Sequence, residues 1–404
     1  MKTNIRQLTT LLALTLMTGA ESLFAQLNVP SDGSDGVLNI TSNTVIDLSQ
    51  AVTGTWSDDN TTNSGKGVYD PSKWAVVFKY QSVNIATNCT VTFANHSSHA
   101  PVVWLVQSNI LIDGYLNLDG RYIVDAYPAK LFPTEPGPGG FRGGAFGPLG
   151  YGAGYGPGGG IAGEPSFGSA YGSGYGGPQA IPLLGGSGAG AVNNGDQYNA
   201  PPPYGDVAGS SGGGAILIAA NGLISVNGRV TANDAGYYAW NWGAHASLSG
   251  GGAIRIIGNI VQGSGSVSAA VTRVEANSIT SSLVLTPNTI AVPPGTTPQI
   301  WPPDAAPIVK VISINGQSSP DDPIAAVTTS SDINIGTNSP VDIIVQSQNF
   351  PPSGIVTVRV TPKYANYFNV NASFQSGTFS NATWKATTTL PNGFCVLQAH
   401  ATSP

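Results

Sequence analysis

Charge is scarce in this chain: 9% of its 404 residues are Asp, Glu, Lys or Arg. Exposed helices rely on Glu and Lys for solvation, so the scarcity argues against a helical protein. It argues equally against a chain kept disordered by self-repulsion. Basic clusters are missing too. With a formal net charge of −6 and no run of Lys or Arg, the chain is a poor candidate for anionic membrane surfaces, and no nucleic acid partner is expected. Cysteine is nearly absent, with Cys89 and Cys395 the two present. They fall in different predicted domains, and a bridge needs Cα atoms within about 7 Å, so free, half-buried thiols are expected. No run past the first residues is apolar for long enough to make a transmembrane segment.

What the chain does have is Gly and Pro, 53 and 30 residues, in a sequence that is 41% apolar. Such turn formers between short apolar runs are the composition of an all-β protein. The first residues read as a targeting segment. Lys2 and Arg6 form a positive n-region, Leu11 to Met17 a short apolar core, and Leu23-Phe24-Ala25 a cleavage site before Gln26. Residues 1–25 are therefore predicted to be a signal peptide. The protein is expected to be secreted, either extracellular or on the outer cell surface, with the periplasm as the other destination. No Cys follows the apolar core, so lipid anchoring has no support.

Internal repeats organise the next part of the chain. Ala215-Ile216-Leu217-Ile218-Ala219 is followed by Leu223-Ile224-Ser225-Val226-Asn227-Gly228 and then by Arg229-Val230-Thr231-Ala232. A second copy opens with Ala253-Ile254-Arg255-Ile256-Ile257 and continues through Ile260–Gly265 and Ser266–Ala269. An earlier copy runs Val102–Val106, Ile110–Gly114 and Tyr115–Leu118. Apolar residues alternate within each copy, as in Ile216 and Ile218, so one face of each strand points inward. A single copy cannot bury that face, but stacked copies share a core. A parallel β-helix is predicted, with a flat meander as the other arrangement.

The opening Pro30-Ser31-Asp32-Gly33-Ser34-Asp35-Gly36, the run Val45-Ile46-Asp47-Leu48 and the repeated Gly-Gly-Ala-Ile strand starts carry a resemblance. They look like bacterial secreted proteins of the pectin-lyase-like right-handed parallel β-helix superfamily. The likeness covers residues 26–285, and its motifs reflect strand and turn chemistry rather than a reaction. Within that span, residues 121–212 read as a long insertion whose core, 137–190, is about two fifths Gly. A Pro-rich linker is predicted over 286–305. Six strand candidates between Val309 and His400 then suggest an immunoglobulin-like β-sandwich over 306–404, without the Cys…Trp…Cys signature of true immunoglobulin domains.

Candidate sites are few. A lyase on this fold would need a Lys or Arg base and clustered carboxylates. The nearest approach is Asp113, Asp119, Arg121 and Asp125 with Lys130, although Asp113-Gly114 and Asp119-Gly120 are also turn pairs in repeat positions. His96-Ser97-Ser98-His99 offers two metal ligands but no third. Asp32-Gly33-Ser34-Asp35-Gly36 lacks full calcium-loop spacing and reads as paired turns. No Gly-x-Ser-x-Gly elbow is paired with a plausible His and Asp. No catalytic residue, cofactor or metal site is assigned. The most distinctive stretch holds Tyr237, Tyr238, Trp240, Trp242 and His245, since flat rings stack on the apolar faces of sugars. Its other reading is a cover for the flank of the β-helix. The leading expectation is a secreted or cell-surface structural, adhesive protein without catalytic activity. The alternatives are a non-catalytic carbohydrate-binding protein and a polysaccharide lyase or glycoside hydrolase. Extracellular polysaccharide and cell-surface components are the partners these readings imply.

Overall fold

The computed structural model describes residues 27–121, 134–147, 150–162, 180–193, 206–235, 249–287, 290–291, 298–320 and 331–403. The predicted signal peptide lies outside them. The described chain is all-β. Its first part is built mainly of parallel pairs, with antiparallel ones between Val68–Asp70 and Ala75–Ile85 and in two short hairpin-like pairs, and its last part is antiparallel. Among the described residues no helix is long and apolar enough to cross a membrane.

Successive copies of the repeat lie on one another in register. Ile218 pairs with Trp104 on one side and with Ile256 on the other. Gly114, Gly228 and Gly265 share one turn position, where Arg229 N–H donates to the Gly114 carbonyl (2.9 Å) and Ser266 N–H to that of Gly228 (3.0 Å). A Cβ on Gly228 would sit 1.8 Å from the Gly114 oxygen, so the turns stack too closely for any side chain there. This parallel pairing rules out a simple antiparallel meander.

Two parallel sheets result. One runs through Gly36–Ile40, Ala75–Ile85, Val102–Val106 with Ile110–Ile112, Ala215–Val226, Ala253–Gly263, Val271–Ser281 and Ile290–Ala291. The other holds Thr44–Asp47, Thr90–Ala94, Tyr115–Asn117, Arg229–Ala232, Ser266–Ala269 and Val284–Thr286. The expected three strands per copy become two in the later copies. The turn between the first and second is only a register irregularity near Ala220–Leu223 within a continuous strand. Two tiers precede the first recognised copy, and Phe78 of Ala75–Ile85 pairs directly with Trp104. Phe78, Trp104, Ile218, Ile256 and Val274 then line one core shared by both sheets.

One expectation from the repeat needs correcting. Strict alternation puts Leu217 outward, towards water, yet it is buried in a second cluster with Leu27, Val77, Val103, Leu105 and Ile257. The cover comes from Leu27 and Val29, ahead of the first strand, and from Ile300 of the Pro-rich stretch, with Trp301 packed on Trp56 at 5.7 Å. Arg255 also points to this side and is buried, paired with Glu275 at 2.7 Å.

The last part forms a seven-stranded antiparallel unit with its own core. Its strands include Ile308–Ile314, Val341–Gln348, Ile355–Pro362, Phe368–Gly377, Ala382–Thr388 and Cys395–Thr402. Alternation is clean in Val341–Gln348, where Val341, Ile343 and Val345 are buried. Trp384 anchors the interior and donates its indole N–H to Ser347 Oγ at 2.8 Å. Cys89 and Cys395 are free, as expected, but only Cys395 is half-buried, Cys89 being buried in the shared core.

Candidate functional site

A polar groove of about 470 Å³ opens where the strand Tyr115–Asn117 ends. The chain after that strand supplies Asp119 and Arg121, the neighbouring tiers add Thr92 and Asp234, and Pro136-Gly137-Pro138 forms the opposite wall. Parallel stacking explains the gathering. Corresponding turns in adjacent tiers lie side by side, so polar turn residues far apart in sequence meet at one sheet end.

Hydrogen bonds fix these groups. Asp119 accepts the Asn233 N–H through Oδ1 at 2.6 Å and the Tyr115 hydroxyl through Oδ2 at 3.0 Å. Asn117 Oδ1 accepts the Asp119 N–H at 2.8 Å. Arg121 donates to the Phe93 carbonyl at 2.8 Å. Burial pushes the Tyr115 phenol above its ordinary pKa, against its hydrogen bond with Thr231 and with help from the Asp119 charge. The Arg229 guanidinium lies 4.2 Å over the same ring. The groove thus offers carboxylate, amide and guanidinium groups within one pocket, a set suited to a polyhydroxylated ligand.

The candidate residues part company here. Asp119 and Arg121 come together, but Asp113 stays in its turn and accepts from Asn227 Nδ2 at 2.7 Å. Asp125 and Lys130 lie outside the described residues, as do Tyr237, Tyr238, Trp240, Trp242 and His245. The described flanks of that aromatic stretch do converge. Ala235 N–H and Ser249 Oγ both donate to the Ser211 carbonyl, at 3.1 and 2.6 Å, and Ala235 lines the groove.

The two histidines have separate tasks. His96 Nδ1 meets Ser98 Oγ at 2.8 Å, and its ring packs 4.1 Å from Tyr69. His99 Nε2 lies 3.3 Å from Glu135, which also binds Arg142 at 2.9 Å. Burial lowers the His99 pKa to about 4, outweighing the Glu135 charge that would raise it. Among the described residues no three His, Cys, Asp or Glu gather as metal ligands.

The Asp-Gly pairs at 32–36 do more than turn. Asp35 is buried and accepts N–H groups from Lys79, Gly65 and Gly67 and the Asn60 amide. The ammonium of Lys79 is buried beside them, 2.6 Å from Asp32 and hydrogen-bonded to the carbonyls of Ser57 and Asp58. A carboxylate with two carbonyls is the kind of oxygen set that holds a hard cation. Here the chain's own ammonium occupies the centre.

Sequence reasoning missed Asn117, Asp234 and Glu135. The first two could have been found by extending the repeat alignment through the turns, because Asn233-Asp234 occupies the place of Asp119-Gly120 one tier on. Glu135 carries no pattern of its own. No family model, curated protein or solved structure matches this chain.

Proposed function

We propose that this is a secreted or cell-surface structural, adhesive protein without catalytic activity. On this reading the parallel tiers form a right-handed β-helix of the pectin-lyase-like kind, and the antiparallel unit is an immunoglobulin-like sandwich. The observation that carries the non-catalytic part is the use made of the groove's charged groups. Asp119 joins its own tier to Asn233 of the next, and Arg121 joins it to Phe93 of the one before. Both therefore act as ties between tiers, whereas a general base must be free to take a proton.

A second reading, non-catalytic carbohydrate binding, is favoured by the groove itself and by the aromatic stretch that leaves its margin at Ala235. One experiment separates these readings from catalysis. Purified protein is mixed with insoluble polysaccharides, and retention and soluble product are measured together. Neither retention nor product is the result expected of the structural protein. Retention that Asn117→Ala and Asp234→Ala weaken would move the conclusion to carbohydrate binding. Unsaturated or reducing sugar ends in solution would overturn both. Export is checked separately by N-terminal sequencing of the secreted protein, expected to begin near Gln26.

A further inference from the structure

Glycine-rich chain lies between the parallel tiers and the antiparallel unit. It runs as extended segments over 140–145, 152–155, 183–191, 208–214 and 249–252, with turns at 138–139 and 156–158, and none of these segments belongs to a β-ladder. Their main-chain hydrogen bonds nevertheless follow a rule. Phe141 and Gly144 donate to the carbonyls of Gly186 and Ala189, at 3.0 and 2.8 Å. Gly186 and Ala189 donate in turn to Gly213 and Ser210, at 2.8 and 2.9 Å. Gly188 and Ala191 donate to Tyr155 and Gly152, at 3.0 and 2.8 Å. Gly209 and Gly212 donate to Gly144 and Phe141, and Gly152 and Tyr155 to Ala145 and Arg142, all at 2.8–2.9 Å. In every case the two donors are three residues apart.

A β-strand repeats every two residues and has neighbours on two sides. Segment 183–191 has four hydrogen-bonded neighbours and meets three of them, 141–144, 152–155 and 210–213, at every third residue, with Gly250 donating to the Ser187 carbonyl from the fourth. That is the symmetry of the extended left-handed helix with three residues per turn, whose main chain makes no internal hydrogen bonds and is free to bond outward. Close approach follows from it. A Cβ on Gly188 would lie 1.9 Å from the Arg142 oxygen, and one on Gly212 1.8 Å from that of Gly186.

We propose that these segments form a polyglycine-type bundle, and that the bundle is the rigid coupling between the parallel tiers and the antiparallel unit. On one side it is continuous with the tiers. Segments 208–214 and 249–252 run directly into Ala215–Val226 and Ala253–Gly263, and Gly214 N–H donates to the Leu118 carbonyl at 2.8 Å. On the other side Arg359 of the antiparallel unit, only 5% exposed, donates to the carbonyls of Pro157 (3.1 Å) and Gly159 (2.9 Å). Its guanidinium also stacks 3.6 Å over Tyr367. A Cβ on Gly152 would lie 2.2 Å from the Lys363 oxygen, so the two parts touch through main chain.

Amide hydrogen exchange on the full chain tests the bundle directly. The amides of Gly186, Ala189, Gly209 and Gly212 should exchange on the order of 100-fold more slowly than that of Gly336, which has open space around it. Exchange as fast as at Gly336 would overturn the bundle, and this measurement needs no variant. Gly188→Ala should cut protection at Tyr155 and Ala189 at least about tenfold, whereas Gly336→Ala should leave it unchanged. The coupling is read by 15N relaxation. Arg359→Lys should let the antiparallel unit tumble faster than the tiers with bundle protection kept. Unchanged protection in Gly188→Ala, or unchanged tumbling in Arg359→Lys, would refute the corresponding half of the proposal.

Discussion

Two residues show how buried charge is managed in a chain with so little of it. Lys79 is 2% exposed, and its ammonium replaces a bound cation among Asp32 and the carbonyls of Ser57 and Asp58. Lys79→Met removes that charge but leaves the oxygens facing one another. Asp32 is half-exposed and can be hydrated, so the expected loss is about 2–3 kcal/mol, below that of a wholly buried pair. Urea denaturation measures it, and calcium chelators should not move the midpoint of the native protein. A chelator-sensitive midpoint would mean that a free cation shares this loop cluster.

His99 works through burial in the opposite direction. Its folded pKa of about 4 lies below the ordinary 6.5, so the folded state favours the neutral ring. Between those values the unfolded chain binds the extra proton. Stability from this group is therefore complete above about pH 6.5 and is lost as pH falls towards 4. The loss should be roughly 2–3 kcal/mol across that window. His99→Gln should flatten this part of the urea midpoint against pH. An unchanged slope would place the acid sensitivity elsewhere.

At the scale of elements, the sequence made some strands plain and hid others. Ile218, Ile256 and Trp104 were alignable because turn glycines mark all three copies and Gly-Gly-Ala starts mark the later two, and the register agrees. Strand Ala75–Ile85 escaped because Lys79, Gln81 and Asn84 interrupt its pattern and no Gly run precedes it. The glycine-rich segments escaped for another reason. Main-chain bonding leaves no side-chain period to read. In the site, Asp119 and Arg121 were visible, while Asp234 entered only through stacking.

The cover over the first sheet was also invisible, because Leu27 and Ile300 lie far from the strands they protect. It changes what substitution should do. Ile218→Asp places a carboxylate in the shared core and Leu217→Asp places one under the cover, so each should cost several kcal/mol. Simple alternation would spare Leu217. Near-equal shifts in the urea midpoint are expected, and tolerance of Leu217→Asp alone would mean that the cover opens readily.

For the whole molecule, the question is whether its two ends stand alone. The antiparallel unit has a core of its own, built on Val341, Ile343, Val345, Val356, Val358 and Trp384. A fragment starting at Pro307 should therefore fold, with dispersed methyl signals in its NMR spectrum. It should be weaker than the same unit in the full chain. Separation deprives Arg359 of the Pro157 and Gly159 carbonyls, and uncovers the main chain that Gly152 contacts at Lys363. Charged hydrogen bonds of this kind contribute about 1.5–3 kcal/mol each when buried, part of which hydration of the freed guanidinium would restore. A net loss of about 1 kcal/mol would lower the melting temperature of a unit this small by roughly 4–8 °C. Methyl signals from Val345 and Val358 can follow melting in both the fragment and the full chain. Arg359→Ala in the full chain should then bring its antiparallel unit close to the melting temperature of the fragment. Equal melting of fragment and full chain would show that the contact at Arg359 adds nothing to stability, leaving the covalent chain through 286–305 as the working link.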